Sequence, residues 1–169
     1  DLLDHYIAVI EGKTGSLIAA AGEYGSLLSG ASEETVQIMA RYGELVGVAF
    51  QLADDVIDIV SDGASSGKTR GTDLREGVPT LPTILLDRAA DAGDESAREV
   101  RALIDTDLST DEALGAAVSA LAAHPVTEQA WRIAYEWADR AIAALAPLPE
   151  STAKAALTSF AHAVVHREG

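Results

Sequence analysis

The sequence predicts an all-α fold, a bundle of helices, on three observations. Apolar residues recur every three or four positions along most of the chain, and no stretch shows the two-residue alternation of a half-buried strand. The chain is rich in Ala and Leu, which favour helix, and only 5% of its residues are aromatic although 48% are hydrophobic. Because 169 residues are enough for one substantial core, a single domain over residues 1–169 is expected.

The first part of the chain is expected to form two long helices. The first covers residues 2–28 and contains four glycines that permit close packing against a neighbouring helix: Gly12, Gly15, Gly22 and Gly25. The second is preceded by Ser32, a good N-cap residue, and has two acidic residues in its first turn. Its periodicity continues to about Val60.

The rest of the chain is predicted to contain one loop and several shorter helices. Residues 61–79 include four glycines and lack helical periodicity, so they are expected to form a flexible loop. The helices that follow are expected near residues 82–91, 94–104, 110–123, 125–146 and 150–166. A capping box from Ser109 to Glu112 marks the start of the third of these.

Composition excludes several classes of function. The 27 acidic and 12 basic residues give a net charge of −15, which argues against nucleic acid or an anionic membrane surface as a partner. The absence of Cys excludes a disulfide framework and a thiolate metal site. No apolar run reaches transmembrane length and the N-terminus lacks a basic region, so we expect no stable membrane insertion and a cytoplasmic location.

The most informative segment is FQLADDVID, residues 50–58, in the second helix. Its aspartates, Asp54, Asp55 and Asp58, occupy positions i, i+1 and i+4, where like charges repel each other. On a helical wheel they fall with Glu44 and Gln51 in an arc of about 100°, and the other non-glycine positions between residues 44 and 60 are apolar. The chain must therefore either solvate these carboxylates or supply a cation.

Two interpretations of this acidic arc remain open on the pattern alone. One is a solvated face of an amphipathic helix. The other is the wall of a cavity that binds Mg²⁺, a hard cation that prefers oxygen ligands. The lack of interspersed Lys, the short Asp side chains and the broad apolar flanks favour the cavity. A di-iron bundle is a poor alternative, because none of the four histidines has a Glu three residues before it.

Basic residues cluster in the loop that follows this helix. Lys68, Arg70 and Arg75 lie within eight residues, which indicates either a loop that closes over a polyanion or an ordinary charged surface loop. It is not a Walker A loop, because position 62 is Asp where the first Gly would stand. In the first helix, Lys13 and Thr14 lie between apolar turns, and a lone Lys there is equally consistent with a surface position.

Three segments in order resemble motifs of the trans-isoprenyl diphosphate synthases, and in particular the synthases of longer polyprenyl chains. FQLADDVID resembles the second aspartate-rich motif, FQxxDDxxD. YIAVIEGKTGSL, residues 6–17, resembles the Lys-Thr helix that precedes it. GKTRGTDLREGVPTLP, residues 67–82, resembles the loop GKxxGxDLxxGKxTLP that follows it.

The resemblance implies a helical bundle of the isoprenoid synthase type and the Mg²⁺-dependent condensation of isopentenyl diphosphate with an allylic diphosphate. It implies that four carboxylates bind the metal, Asp73 through water: Asp54, Asp55, Asp58 and Asp73. It implies that four further residues hold the allylic diphosphate and its metals: Lys13, Thr14, Gln51 and Lys68. Lys13 and Lys68 would be the catalytic cations that stabilise the leaving pyrophosphate.

Two departures from the family pattern qualify this expectation. Val78 stands where the family has a second loop Lys, and Arg75 and Arg70 are the candidates to replace it. The first aspartate-rich motif, DDxxD, is absent, so the chain resembles the C-terminal half of such an enzyme. We therefore expect it to be inactive alone and to associate as a homodimer or with the missing N-terminal half.

Two other functions compete with the enzyme on the sequence. A non-catalytic partner subunit of a heteromeric prenyl synthase, or a helical interaction module, would also lack the first motif. A class I terpene cyclase is disfavoured, because its second metal motif mixes Asn or Asp with Ser or Thr and Glu, unlike DDVID.

Overall fold

The computed structural model describes residues 1–61 and 70–166, and these form helices and no strand, as predicted. In chain order the elements are α1 (Leu2–Ile10), a π-helical turn (Glu11–Gly15), α2 (Ser16–Leu28), α3 (Glu33–Val60), α4 (Thr72–Arg75), α5 (Leu81–Asp91), α6 (Glu95–Ile104), α7 (Asp111–Ala123), α8 (Pro125–Ala144) and α9 (Thr152–Val165). Within the described ranges, no helix combines the length and apolar character needed to cross a bilayer.

The predicted first helix is present, with a π turn in its middle. A π turn takes more residues per turn than an α-helix and occurs frequently at functional sites. The prediction that all four glycines pack closely is half right. A Cβ on Gly22 would lie 2.5 Å from the carbonyl oxygen of Met39, and one on Gly15 would lie 3.2 Å from that of Glu44. A Cβ on Gly12 or Gly25 would meet none of the described residues within 4 Å, because those faces of the helix have no close neighbour among them.

Helix α3 begins and ends where the sequence predicts. The hydroxyl of Ser32 accepts a hydrogen bond from the amide of Thr35 at 3.2 Å, as an N-cap does. Between Tyr42 and Ile59 nearly every residue of α3 is buried or half-buried. A helix that is buried on almost every side, with a narrow polar strip, does not present an ordinary solvated face.

The later helices lie close to their predicted ranges, with two corrections. The N-cap of α7 is Thr110, whose hydroxyl accepts from the amide of Ala113 at 3.3 Å, so the capping box predicted from Ser109 is wrong. The segment over residues 61–79, which is predicted to be a loop, contains a helical turn, α4. Gly71, the residue before this turn, has a left-handed conformation (φ 75°). Residues 62–69 lie outside the described residues.

By contacts between residues, the chain divides into two units. The first comprises Leu3–Ala53 and the described chain from Ile133 onward; in it the hydroxyl of Tyr42 donates to the carbonyl of Leu157 at 2.7 Å. The second comprises Asp54–Arg132, and its core is apolar: Leu81, Ile84, Leu86, Ala97, Val118 and Leu121 are almost fully buried. That these units constitute one domain stays a prediction.

Candidate functional site

The end of α3 that carries the aspartates is hydrogen-bonded to the segment that follows the loop, residues 70–81. Hydrogen bonds that make this junction include Gly71 N–H to the Asp58 carbonyl (2.9 Å), Asp73 N–H to Asp58 Oδ2 (3.4 Å), Leu81 N–H to Asp55 Oδ2 (3.2 Å), and Arg70 Nε–H to the Ile59 carbonyl. Two aspartates predicted as site residues therefore bind backbone amides. The fold brings Asp58 and Asp73 together, although fifteen residues separate them.

The three aspartates of α3 differ in their surroundings. Asp55 is only 4% exposed, whereas Asp54 and Asp58 are half-buried, as is Gln51. The helical wheel places all of them in one arc, but within that arc Asp55 lies under the start of α5, where it binds the amide of Leu81, and its neighbours stay partly exposed. The interpretation as a uniformly solvated acidic face is therefore wrong for Asp55.

Negative charge is concentrated around Asp58. Its pKa is raised, first by burial and then by the charge of Asp73, with a smaller contribution from the charge of Asp54. The backbone amides of Asp73 and Thr72 oppose this by donating hydrogen bonds to the carboxylate. Carboxylates that repel one another while partly withdrawn from water form a region that a cation would stabilise.

The chemistry of this donor set fits Mg²⁺, because carboxylate oxygens of Asp54, Asp58 and Asp73 are the ligands that a hard divalent cation prefers. Within residues 1–61 and 70–166, however, no three His, Asp or Glu side chains already stand together as a metal site. Metal binding by these three aspartates and Asp55 therefore stays a prediction.

The second group of predicted residues lies in the first unit, where Thr14 Oγ1 donates to Gln51 Oε1 at 3.2 Å. Thr14 belongs to the π turn, as does the exposed Lys13. Close backbone contact holds this turn against α3, because a Cβ on Gly47 would lie 2.8 Å from the Cα of Gly15 and 3.2 Å from the carbonyl oxygen of Thr14. The structure thus brings Thr14 and Gln51 together.

Sequence reasoning missed the glycines of α3. A Cβ on Gly43 would lie 2.5 Å from the carbonyl oxygen of Ile18, so Gly43 and Gly47 both permit the close approach of the first helix. The signal was present, since two glycines four residues apart in an apolar helix mark one face on which another backbone can approach.

Other predicted residues are placed differently or not at all. Lys68 lies outside the described residues, so its role in diphosphate binding stays a prediction, as does that of Lys13. The suggested replacements for the second loop Lys are engaged elsewhere. Arg75 forms an ion pair with Asp111 at 2.6 Å and Arg70 donates to the carbonyl of Ile59, while Val78 is 45% exposed.

Comparison with known proteins gives a consistent result. The model of the family described as polyprenyl synthetase matches residues 1–121. A nonaprenyl diphosphate synthase of Mycobacterium tuberculosis is 41% identical over 169 residues, which are 100% of this chain and 50% of that protein. The heptaprenyl diphosphate synthase component 2 of Geobacillus stearothermophilus is 30% identical over 92% of this chain and 47% of that protein.

Solved structures agree in fold. A geranylgeranyl pyrophosphate synthase of Corynebacterium glutamicum, crystallised with calcium and isoprenyl diphosphate, superposes with a TM-score of 0.85 and 38% identity, covering 98% of this chain and 51% of that one. The chain therefore spans about half the length of the relatives it matches.

Proposed function

The chain belongs to the polyprenyl synthetase family, and we propose that it forms the diphosphate- and metal-binding part of a polyprenyl diphosphate synthase. The reaction would condense isopentenyl diphosphate with an allylic diphosphate. The observation that carries this proposal is the junction of α3 with the segment after the loop, where Asp58 binds the backbone amide of Asp73. The charges of Asp73 and Asp54 also raise the pKa of Asp58. Carboxylate residues from two of the three segments that resemble family motifs are thus near one another.

In the proposed reaction the carbon–oxygen bond of the allylic diphosphate breaks and its electron pair leaves with pyrophosphate. The double bond of isopentenyl diphosphate then forms the new carbon–carbon bond, and a proton is lost to pyrophosphate. No side chain acts as nucleophile. The chain supplies positive charge from Lys13 and Lys68, and the Thr14–Gln51 bond fixes the amide of Gln51 for the diphosphate.

Mg²⁺ is the proposed cofactor, with Asp54, Asp58 and Asp73 as the residues that would hold it. When bound, it would neutralise diphosphate charge and stabilise the departing pyrophosphate. The related Corynebacterium enzyme was crystallised with a divalent cation and isoprenyl diphosphate, which supports the same class of ligand here.

We also propose that the chain associates with a second copy or with a chain that corresponds to the half of its relatives that it does not match. Large apolar residues form a stripe along α1 and α2, each between 48% and 86% exposed: Leu2, Val9, Leu17, Tyr24 and Leu28. The first four are spaced by seven residues within a helix but by eight from Val9 to Leu17, across the π turn. Because a π turn takes more residues per turn, the extra residue keeps the stripe on one side. Monomeric proteins rarely expose such a stripe.

A second candidate function is a partner subunit without chemistry of its own. The 30% identity to a protein named as one component of a heptaprenyl diphosphate synthase favours it, as does Val78 in place of the expected Lys. A cytoplasmic location stays a prediction under either function.

The experiment that tests the proposal measures prenyl transfer by the protein as its gene encodes it, with isopentenyl diphosphate, an allylic primer and Mg²⁺. We expect Asp54→Ala to lower kcat at least about a hundredfold, since it removes a group that would stabilise the transition state. Glu34→Gln, an exposed carboxylate in the first turn of the same helix, is the matched control and should be unchanged.

The same assay separates the two candidate functions. If transfer appears only after a second, different gene product is added, and Asp54→Ala leaves that activity unchanged, the chain is a partner subunit. The 169-residue chain alone should show no turnover, and sizing should show an associated species. Turnover by a monodisperse monomer would contradict the proposed need for association.

A further inference from the structure

Asp55 satisfies a backbone donor in the first turn of α5. The first amides of a helix have no partner within the helix. In α5 the amide of Ile84 binds the carbonyl of Thr80, and Thr80 and Thr83 form a capping box. Pro82 has no N–H to satisfy. The remaining amide, that of Leu81, donates to Asp55 Oδ2 at 3.2 Å.

The hydrogen bond between Asp55 and Leu81 is buried, and it joins residues that are far apart in the sequence. Asp55 is 4% exposed and Thr80 is also 4% exposed, so the bond is sheltered from water. It joins residues 26 positions apart, both in the second unit. A carboxylate at the N-terminus of a helix is also stabilised by the helix dipole.

We propose that Asp55 is a positioning residue rather than a metal ligand, and that its carboxylate holds the amide of Leu81 and so fixes the segment from residue 70 to α5 beside Asp54 and Asp58. The inference deepens the proposed function and rests on it. Asp58 holds one end of this segment through Gly71 and Asp73, and Asp55 holds the other. Two adjacent aspartates of one motif would then have different roles, because a step of about 100° per residue directs Asp55 toward α5 and leaves Asp54 half-buried on another side of the helix.

The first test concerns the bond itself and needs no activity. Amide exchange at Leu81 is measured for the protein as its gene encodes it and for Asp55→Asn and Asp55→Ala. Asn keeps an acceptor oxygen, so its Leu81 amide should exchange within about threefold of the parent. Ala leaves a buried donor without a partner, and exchange should rise about tenfold or more.

The second test distinguishes positioning from metal binding. The Mg²⁺ concentration for half-maximal prenyl transfer is measured for Asp55→Asn and Asp54→Asn, which change charge equally at neighbouring positions. Asp55→Asn should retain most of kcat and the parental Mg²⁺ requirement, whereas Asp54→Asn should raise that requirement at least about tenfold. Asp55→Ala should lower kcat by about ten- to a hundredfold, because a shift of the segment misplaces Asp73.

Each outcome bears on the proposal. A Mg²⁺ requirement raised as much by Asp55→Asn as by Asp54→Asn would make Asp55 a ligand and overturn the inference. Equal Leu81 exchange in the parent and Asp55→Ala would also overturn it. If the parent shows no prenyl transfer under any condition, the proposed function fails, while the exchange measurement still decides whether Asp55 holds α5.

Discussion

The two groups of site residues are held in place by different kinds of contact. In the first unit, backbone packing places the π turn, since Gly15 and Gly47 meet without side chains and the Thr14–Gln51 bond forms across that contact. In the second unit, carboxylates bind backbone amides directly, as Asp55 and Asp58 do. The first arrangement depends on the absence of side-chain atoms, and the second depends on acceptor oxygens. Substitutions should therefore affect the two regions in different ways.

The largest effect on stability is expected at the glycine contact. Gly47→Ala places a methyl group 2.8 Å from the Cα of Gly15, and the backbone that it meets offers no flexible side chain to move. We expect a loss of about 1–3 kcal/mol in the free energy of unfolding, the usual cost of overpacking. Denaturant unfolding measures it.

Gly25→Ala is the control for that substitution. A Cβ on Gly25, in α2, would meet none of the described residues within 4 Å, and Ala has the higher helix propensity. The variant should be neutral or stabilising by up to about 1 kcal/mol. If Gly47→Ala behaves as Gly25→Ala does, backbone packing does not position the π turn.

A smaller effect is expected at the Thr14–Gln51 bond. Thr14→Val keeps the shape of the side chain but removes the hydroxyl that donates to Gln51 Oε1. We expect a loss of about 0.5–1.5 kcal/mol in the free energy of unfolding. Thr14→Ser keeps the hydroxyl and should recover most of this loss; a Ser variant as unstable as the Val variant would show that packing, not the bond, matters here.

The smallest effect on the free energy of unfolding is expected at Asp58, where a substitution should raise that free energy instead of lowering it. Because burial and the charges of Asp73 and Asp54 raise its folded-state pKa, the folded state binds more protons than the unfolded state just above pH 3.8. Stability contributed by this group is lost as pH rises through the raised folded pKa. Without added metal, Asp58→Asn should therefore be slightly more stable than the parent at pH 7 and equal to it at low pH.

The measurement for Asp58→Asn is thermal unfolding against pH, with Mg²⁺ excluded. The half-buried position and solvent screening keep the expected gain small. Asp107→Asn is the control, because the pKa of Asp107 is lowered by hydrogen bonds from Ser109, which predicts destabilisation at pH 7 instead. If Asp58→Asn lowers thermal stability as much as Asp107→Asn does, the bond of Asp58 to the Asp73 amide outweighs its repulsion by the charges of Asp73 and Asp54.

Local patterns predicted the helices but not always the residues that end them. Ser32 was identified as a cap because it is the one capping residue directly before a periodic run. Before α7 two candidates, Ser109 and Thr110, stand side by side, and the extended backbone of Thr110 (φ −88°, ψ 145°) decides between them. Helix α4 has four residues, too few for any periodicity to indicate.

The sequence by itself determined that the chain is helical, that α3 is apolar on most sides, and that three aspartates share one arc of it, because these properties follow from the spacing of residues along one helix. Only the tertiary structure decided that Asp55 lies under α5, that Asp58 binds the amide of Asp73, and that Gly47 rather than Gly12 meets another backbone. The physical reason is that each of these contacts joins residues far apart in the chain. Helical periodicity specifies which side chains share a face, and it contains no information about which distant backbone that face will meet.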